Sequence, residues 1–196
     1  YLFFSSALFS QTDLLKKKQD YAVIYGLYKD GLYDLAYEEI NKFLEKYPNS
    51  QNTSDAVFIK AECLFKQDKF KEAINEYNEF IIKYPSSPLT DDAAFRIGES
   101  FYKNKQFNEA ISAFKKVIDK YPESELSGES AYWIGESYLK ISEYDEAIKY
   151  YRLSAENYPS NRLANYAFYS IGWVYQKQNK YEKAIESYQE YLQKFP

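Results

Sequence analysis

Glu62, Glu99 and Glu136 stand 37 residues apart, and each is followed four residues later by a lysine: Lys66, Lys103 and Lys140. Carboxylates can act as general acids and bases, but that work needs one pair set apart by its surroundings. Here the acids form a regular ladder in which no pair is singled out. Composition closes the other routes to catalysis. The 196 residues contain no histidine and a single cysteine, Cys63. Serine–histidine and cysteine–histidine nucleophiles are therefore absent, as is every metal site built on histidine or paired cysteines. No catalytic residue, cofactor or metal is expected. Cys63, beside Leu64, reads as a small buried apolar residue, and one thiol says little about the redox compartment. A net charge of −4 lacks the basic footprint of a nucleic-acid binder. The remaining chemistry is recognition, for which 23 tyrosines and 14 phenylalanines supply large rings, many with a polar tip.

The elements that carry these residues follow from the same period. Tyr47-Pro48, Tyr84-Pro85, Tyr121-Pro122, Tyr158-Pro159 and Phe195-Pro196 share one column. Twelve residues before each proline stands Ala36, Ala73, Ala110, Ala147 or Ala184, and three before that an aromatic residue. Four residues after the alanine comes Ile40, Tyr77, Phe114, Tyr151 or Tyr188; twelve before it comes Ile24, Ala61, Gly98, Gly135 or Gly172. A fixed period in this range marks a repeat array. Phe107, Ala110, Ile111, Phe114, Val117, Ile118 and Tyr121 trace the stripe of a one-sided helix. The segment from Ala94 to Tyr102 has the same period, and Asn104-Lys105-Gln106 is short enough to make the two helices antiparallel neighbours. The alanine and glycine columns are expected at helix crossings, and each proline ends a second helix.

These columns are similar to those of tetratricopeptide repeat proteins. Phe168, Ile171, Gly172, Tyr175, Ala184, Tyr188 and Pro196 stand at that family's spacings in the last repeat, and the match covers residues 18–196. Departures are Lys60 where leucine is usual, Ile24 at the small position, and Phe43, Phe80, Val117, Ser154 or Tyr191 for the late alanine. The resemblance implies an all-α, right-handed superhelical solenoid of antiparallel helix pairs. It also implies that first helices line a concave groove that holds a protein or peptide partner. Carried over by position, the groove would present Tyr21, Phe58, Phe95, Tyr132 and Tyr169 in one row and Tyr28, Phe65 and Tyr102 in another. Tyr25 and Trp173 share a column with the three glutamates, and Lys66, Lys103, Lys140 and Lys177 edge the groove. Two readings stay open for each set. The rings either face a ligand or pack between helices; the glutamate–lysine pairs either border the groove or support their own helix. The lysine–asparagine clamp that some family members use for a terminal carboxylate has aromatic and acidic residues at its positions here.

The family's period is about 34 residues, and the surplus falls between each proline and the next first helix. Ser50, Ser87, Ser124 and Asn161 are expected to cap those helices, with Pro88 at a first helical position. The surplus is thus expected as one added turn on each first helix. This spacing resembles the repeats of two bacterial envelope scaffolds, the outer-membrane barrel assembly lipoprotein D and the periplasmic Tol-Pal-associated cell-division coordinator. Residues 1–10, YLFFSSALFS, resemble the back half of a signal peptide, with a ragged first helix as the alternative. No other stretch approaches the roughly 18 apolar residues of a membrane span. The expected organisation is this remnant followed by five repeats, 12–48, 49–85, 86–122, 123–159 and 160–196, as part of a longer chain. The leading function is an exported, non-enzymatic interaction scaffold at the periplasmic or outer-membrane face. A cytoplasmic location follows if residues 1–10 are not a signal. A glycan- or exopolysaccharide-binding module and the targeting arm of a longer enzyme are the alternatives.

Overall fold

Every repeat must reverse the chain twice, and it does so through two different joints. The computed structural model describes the backbone of residues 2–195 and the side chains of residues 14–195. The stretch read as an export remnant, residues 1–10, lies outside the residues whose side chains are described. Among the described residues the chain is all-helical. Its helices are α1 (Leu2–Lys29), α2 (Tyr33–Lys46), α3 (Thr53–Lys66), α4 (Phe70–Lys83), α5 (Thr90–Lys103), α6 (Phe107–Lys120), α7 (Leu126–Lys140), α8 (Tyr144–Arg152), α9 (Ala164–Lys177) and α10 (Tyr181–Lys194). A π-helical turn, Leu153–Asn157, extends α8.

The joint inside each repeat is a three-residue turn whose middle residue is left-handed: Gly31, Asp68, Lys105, Ser142 and Asn179 have φ between 57° and 78°. The N–H after it reaches back to the last turn of the helix, as in Leu32 to Leu27 and Gln106 to Phe101, both 2.9 Å. This is the Schellman closure, which satisfies carbonyls that a helix end leaves free.

The joint between repeats corrects the expectation of an added helical turn. Ser50, Ser87, Ser124 and Asn161 do act as caps, each side-chain oxygen accepting the N–H two residues on at 2.8–3.3 Å. What they cap is a separate turn closed by an i→i+3 bond, after which the regular helix begins. Thr53 and Thr90 open the helices behind that turn and Ser127 is the second residue of its helix; they donate their hydroxyls to the carbonyls of Tyr47, Tyr84 and Tyr121. The first helices that follow such a joint, α3, α5, α7 and α9, consequently have 14 or 15 residues, matching the 14 of most second helices.

The chain forms two compact units, residues 1–90 and 91–196. In the first, Ile24, Ala36, Ile40, Phe43 and Cys63 are among the buried residues of one core; burial, then the nearby Glu62 charge, pushes the Cys63 thiol up to about 12. In the second, Phe95, Ala110, Phe114, Val117 and Ile134 pack together, and Ala147, Tyr151, Phe168, Ile171 and Val174 form a further cluster. The small columns do mark the crossings. Ala36, Ala73, Ala110 and Ala147 are fully buried. A Cβ on Gly98, Gly135 or Gly172 would lie 2.6–2.7 Å from ring carbons of Phe114, Tyr151 and Tyr188. Each glycine is therefore the space its own repeat's ring occupies.

Candidate binding groove and cleft

First helices carry their aromatic residues at two depths, and depth decides which can meet a ligand. Phe95 is 4% exposed and packs on Phe114 with ring centroids 5.3 Å apart. Phe65 is 6% exposed, edge-on to Phe70 at 5.7 Å. Both are core residues, which overturns the expectation that they line a groove. Their rings turn onto the second helix of their own repeat. The rest of that row leans the same way without disappearing. Tyr21 lies 6.0 Å from Phe43, Phe58 contacts Tyr77 and Phe80, and Tyr132 lies 5.6 Å from Tyr151. Tyr169, half exposed beside Tyr188, is the most open of that row, in which Tyr21, Phe58 and Tyr132 are partly buried. Tyr25 is 48% and Trp173 38% exposed, and the Lys177 ammonium sits 4.8 Å from the Trp173 ring centre.

The glutamates turn inward. Glu62 is buried and accepts hydrogen bonds from the Tyr28 hydroxyl at 3.0 Å and from the Tyr77 hydroxyl. Glu136 accepts from Tyr151 at 2.6 Å. Burial first, and the Glu136 charge second, push the Tyr102 phenol up to about 12 and raise Tyr132 and Tyr151 further. In the third repeat the second-helix ring is Phe114, which has no hydroxyl to give, and Glu99 pairs instead with Arg96 at 2.5 Å. The column is thus a set of latches between phenols and carboxylates. Lys66, Lys103, Lys140 and Lys177 are exposed and each is the last residue of its helix, where its charge offsets the helix dipole.

Within residues 91–196 part of the expected surface converges. A cleft of about 470 Å³ is lined by Glu99, Tyr102, Lys103, Lys105, Phe107, Trp133 and Lys140. Among these, Tyr102 is edge-on to Trp133 at 4.9 Å and to Phe107 at 5.5 Å. Tyr102, Lys103 and Lys140 were legible as site residues; Trp133 and Lys105 were not. Trp133 shares its column with Ala22, Ile59, Arg96 and Ser170, and Lys105 with turn residues, so neither recurs. The signal that could have found them is the break in a column.

Paired helices with small residues at their crossings and a left-handed turn inside each pair define a tetratricopeptide-type repeat protein. A tetratricopeptide repeat model matches residues 126–195. The YfiO model, described as outer membrane lipoprotein, matches residues 6–129, and the chain belongs to that family. No curated protein matches the sequence. Solved structures share the fold at low identity. MamA from Desulfovibrio magneticus RS-1 is 14% identical, with 91% of this chain and 94% of that one covered and a TM-score of 0.71. The kinesin light chain TPR-like repeats of Podosopora anserina are 10% identical, with 90% and 93% covered and a TM-score of 0.67. A Rap protein complexed with Competence and Sporulation Factor is 18% identical, with 92% of this chain and 54% of that one covered and a TM-score of 0.62.

Proposed function

We propose that the chain is a non-enzymatic protein-interaction scaffold of the bacterial cell envelope, exported and acting in envelope assembly or division. It presents the open side chains of its first helices to an extended peptide or an amphipathic helix. The observation that carries this reading is the placement of Tyr25, Tyr169 and Trp173. Each keeps 38–50% of its surface in water while ring after ring around it is buried. Tyrosine and tryptophan left in that state offer contact area and a polar tip at small entropic cost. The family's description as outer membrane lipoprotein supports the envelope, and the Rap complex shows a like-folded protein holding a partner. Among the described residues no helix is long and apolar enough to cross a membrane.

Two measurements test this. Calorimetric titration with aromatic-rich segments of outer-membrane polypeptides should give binding heat; a response to cell-wall oligosaccharides alone would replace the peptide reading with a glycan-binding one. Cell fractionation should recover the protein with the outer membrane or periplasm, and recovery in the cytosol would overturn the envelope assignment.

A further inference from the structure

The α5–α6–α7 cleft contains two residues that the repeat does not ask for. Lys103 and Lys140 end their helices as lysines do throughout the chain, so they alone are ordinary. Lys105 is different. It occupies the left-handed position of its turn at φ 61°, where the other repeats have Gly31, Asp68, Ser142 and Asn179. Glycine carries no penalty there, and aspartate and asparagine tolerate the region better than long side chains do. A lysine at this position gives up stability, and backbone strain of this kind clusters where a side chain is needed for binding. Trp133 is the second departure. Its column is otherwise unpatterned, it forms one wall of the cleft, and its indole N–H is buried with no hydrogen-bond partner among the described residues. Packing on Tyr102 and Tyr132 accounts for the Trp133 ring but not for its unpartnered N–H, and nothing in the packing of the repeat explains Lys105.

The two departures meet at one place and complement each other. Lys103, Lys105 and Lys140 line the cleft together with the rings of Tyr102, Phe107 and Trp133, and the one lining carboxylate, Glu99, is engaged by Arg96. A space of about 470 Å³ takes a few side chains and not a whole helix. Resting on the reading of the chain as a peptide-binding scaffold, we infer that this cleft anchors an extended partner segment in which an aspartate or glutamate adjoins a bulky apolar side chain. The carboxylate lies among Lys103, Lys105 and Lys140, and the apolar side chain lies against Tyr102 and Trp133. Charge-assisted contacts set the preference and the rings supply the apolar contact.

The test uses the whole chain and three probes: a short peptide with glutamates flanking a phenylalanine, its twin with glutamines, and an oligogalacturonate, which has the charge without the apolar side chain. Calorimetry should show the acidic peptide binding about tenfold more tightly than its twin, with the difference shrinking as salt rises. Lys103→Gln and Lys105→Asn should each erase most of that preference, whereas Lys116→Gln, outside the cleft, should not. Lys105→Asn should also raise the melting temperature, so its loss of binding cannot be a loss of folding. Equal binding of the twin, or an unchanged preference in Lys105→Asn, would overturn the inference and leave the scaffold reading standing. If neither peptide binds, the inference falls, and the scaffold reading is decided separately by the titration with outer-membrane segments. Binding of oligogalacturonate without the acidic peptide would also overturn the inference, making the cleft a site for anionic sugar.

Discussion

Glu136 holds the Tyr151 hydroxyl at 2.6 Å, and its charge also acts on Tyr102 and Tyr132. All three phenols keep their protons to higher pH in the fold than in an unfolded chain, where tyrosine titrates near about pH 10. The sign follows from proton counts. Above about pH 10 the unfolded chain has released protons that the folded one retains, so unfolding gains ground. This contribution is complete below about pH 10 and is lost as pH rises through the folded values. Urea midpoints should therefore fall once pH passes about 10. Tyr151→Phe should lessen that fall while costing about 1–2 kcal/mol at neutral pH, because a partly buried carboxylate loses a donor. An alkaline profile unchanged in the variant would remove Tyr151 from the account. At this scale the periodic residues were legible and the exceptional ones were not. Gly98 and Phe114 announce their contact because four of the five repeats restate it as small opposite large, the first having Ile24 and Ile40. Trp133 and Lys105 occur once, and reading by columns discards what does not recur.

The helices themselves were readable from proline and apolar stripe, yet the joint between repeats was not. A serine followed by proline fits the start of an α-helix and equally the start of an i→i+3 turn, since both leave N–H groups for the serine oxygen. Only the tie from Thr53, Thr90 or Ser127 to the preceding helix end separates them. The fourth joint carries that tie differently. Ala164 has no hydroxyl, and the Asn161 side-chain amide donates both to the Tyr158 carbonyl at 2.5 Å and to the Ser154 carbonyl at 2.9 Å. The helix end it reaches into is the one that is π-helical, and the Ser154 hydroxyl there bonds the Gly128 carbonyl at 2.7 Å. Asn161→Ser should cost about 1–2 kcal/mol. Adding Ala164→Ser should recover most of it by copying the third joint, though alone it should be nearly neutral. A double-mutant cycle from urea unfolding measures the coupling, and simple additivity would refute this account of the joint.

Across the molecule the helices are unequally held. Helix α6 buries Ala110, Ile111, Ala113, Phe114 and Val117, whereas α10 buries only Ala184 and Ser187 and leaves Tyr181, Ile185 and Leu192 more than half exposed. Opening free energy in a repeat array follows such local burial. Amide exchange should be slowest in α6 and fastest among second helices in α10; equal protection would show that residues 91–196 open only as a whole. The division after Thr90 was not legible, because the 37-residue period runs through it without a break. Both tryptophans, Trp133 and Trp173, lie beyond that division. Light absorbed by indole therefore reports on residues 91–196 and is blind to the first unit. An unfolding curve recorded through tryptophan emission should match one from the peptide-bond dichroism of the whole chain only if the two units melt together. The gap between the curves is a direct optical reading of how far the first unit stands on its own.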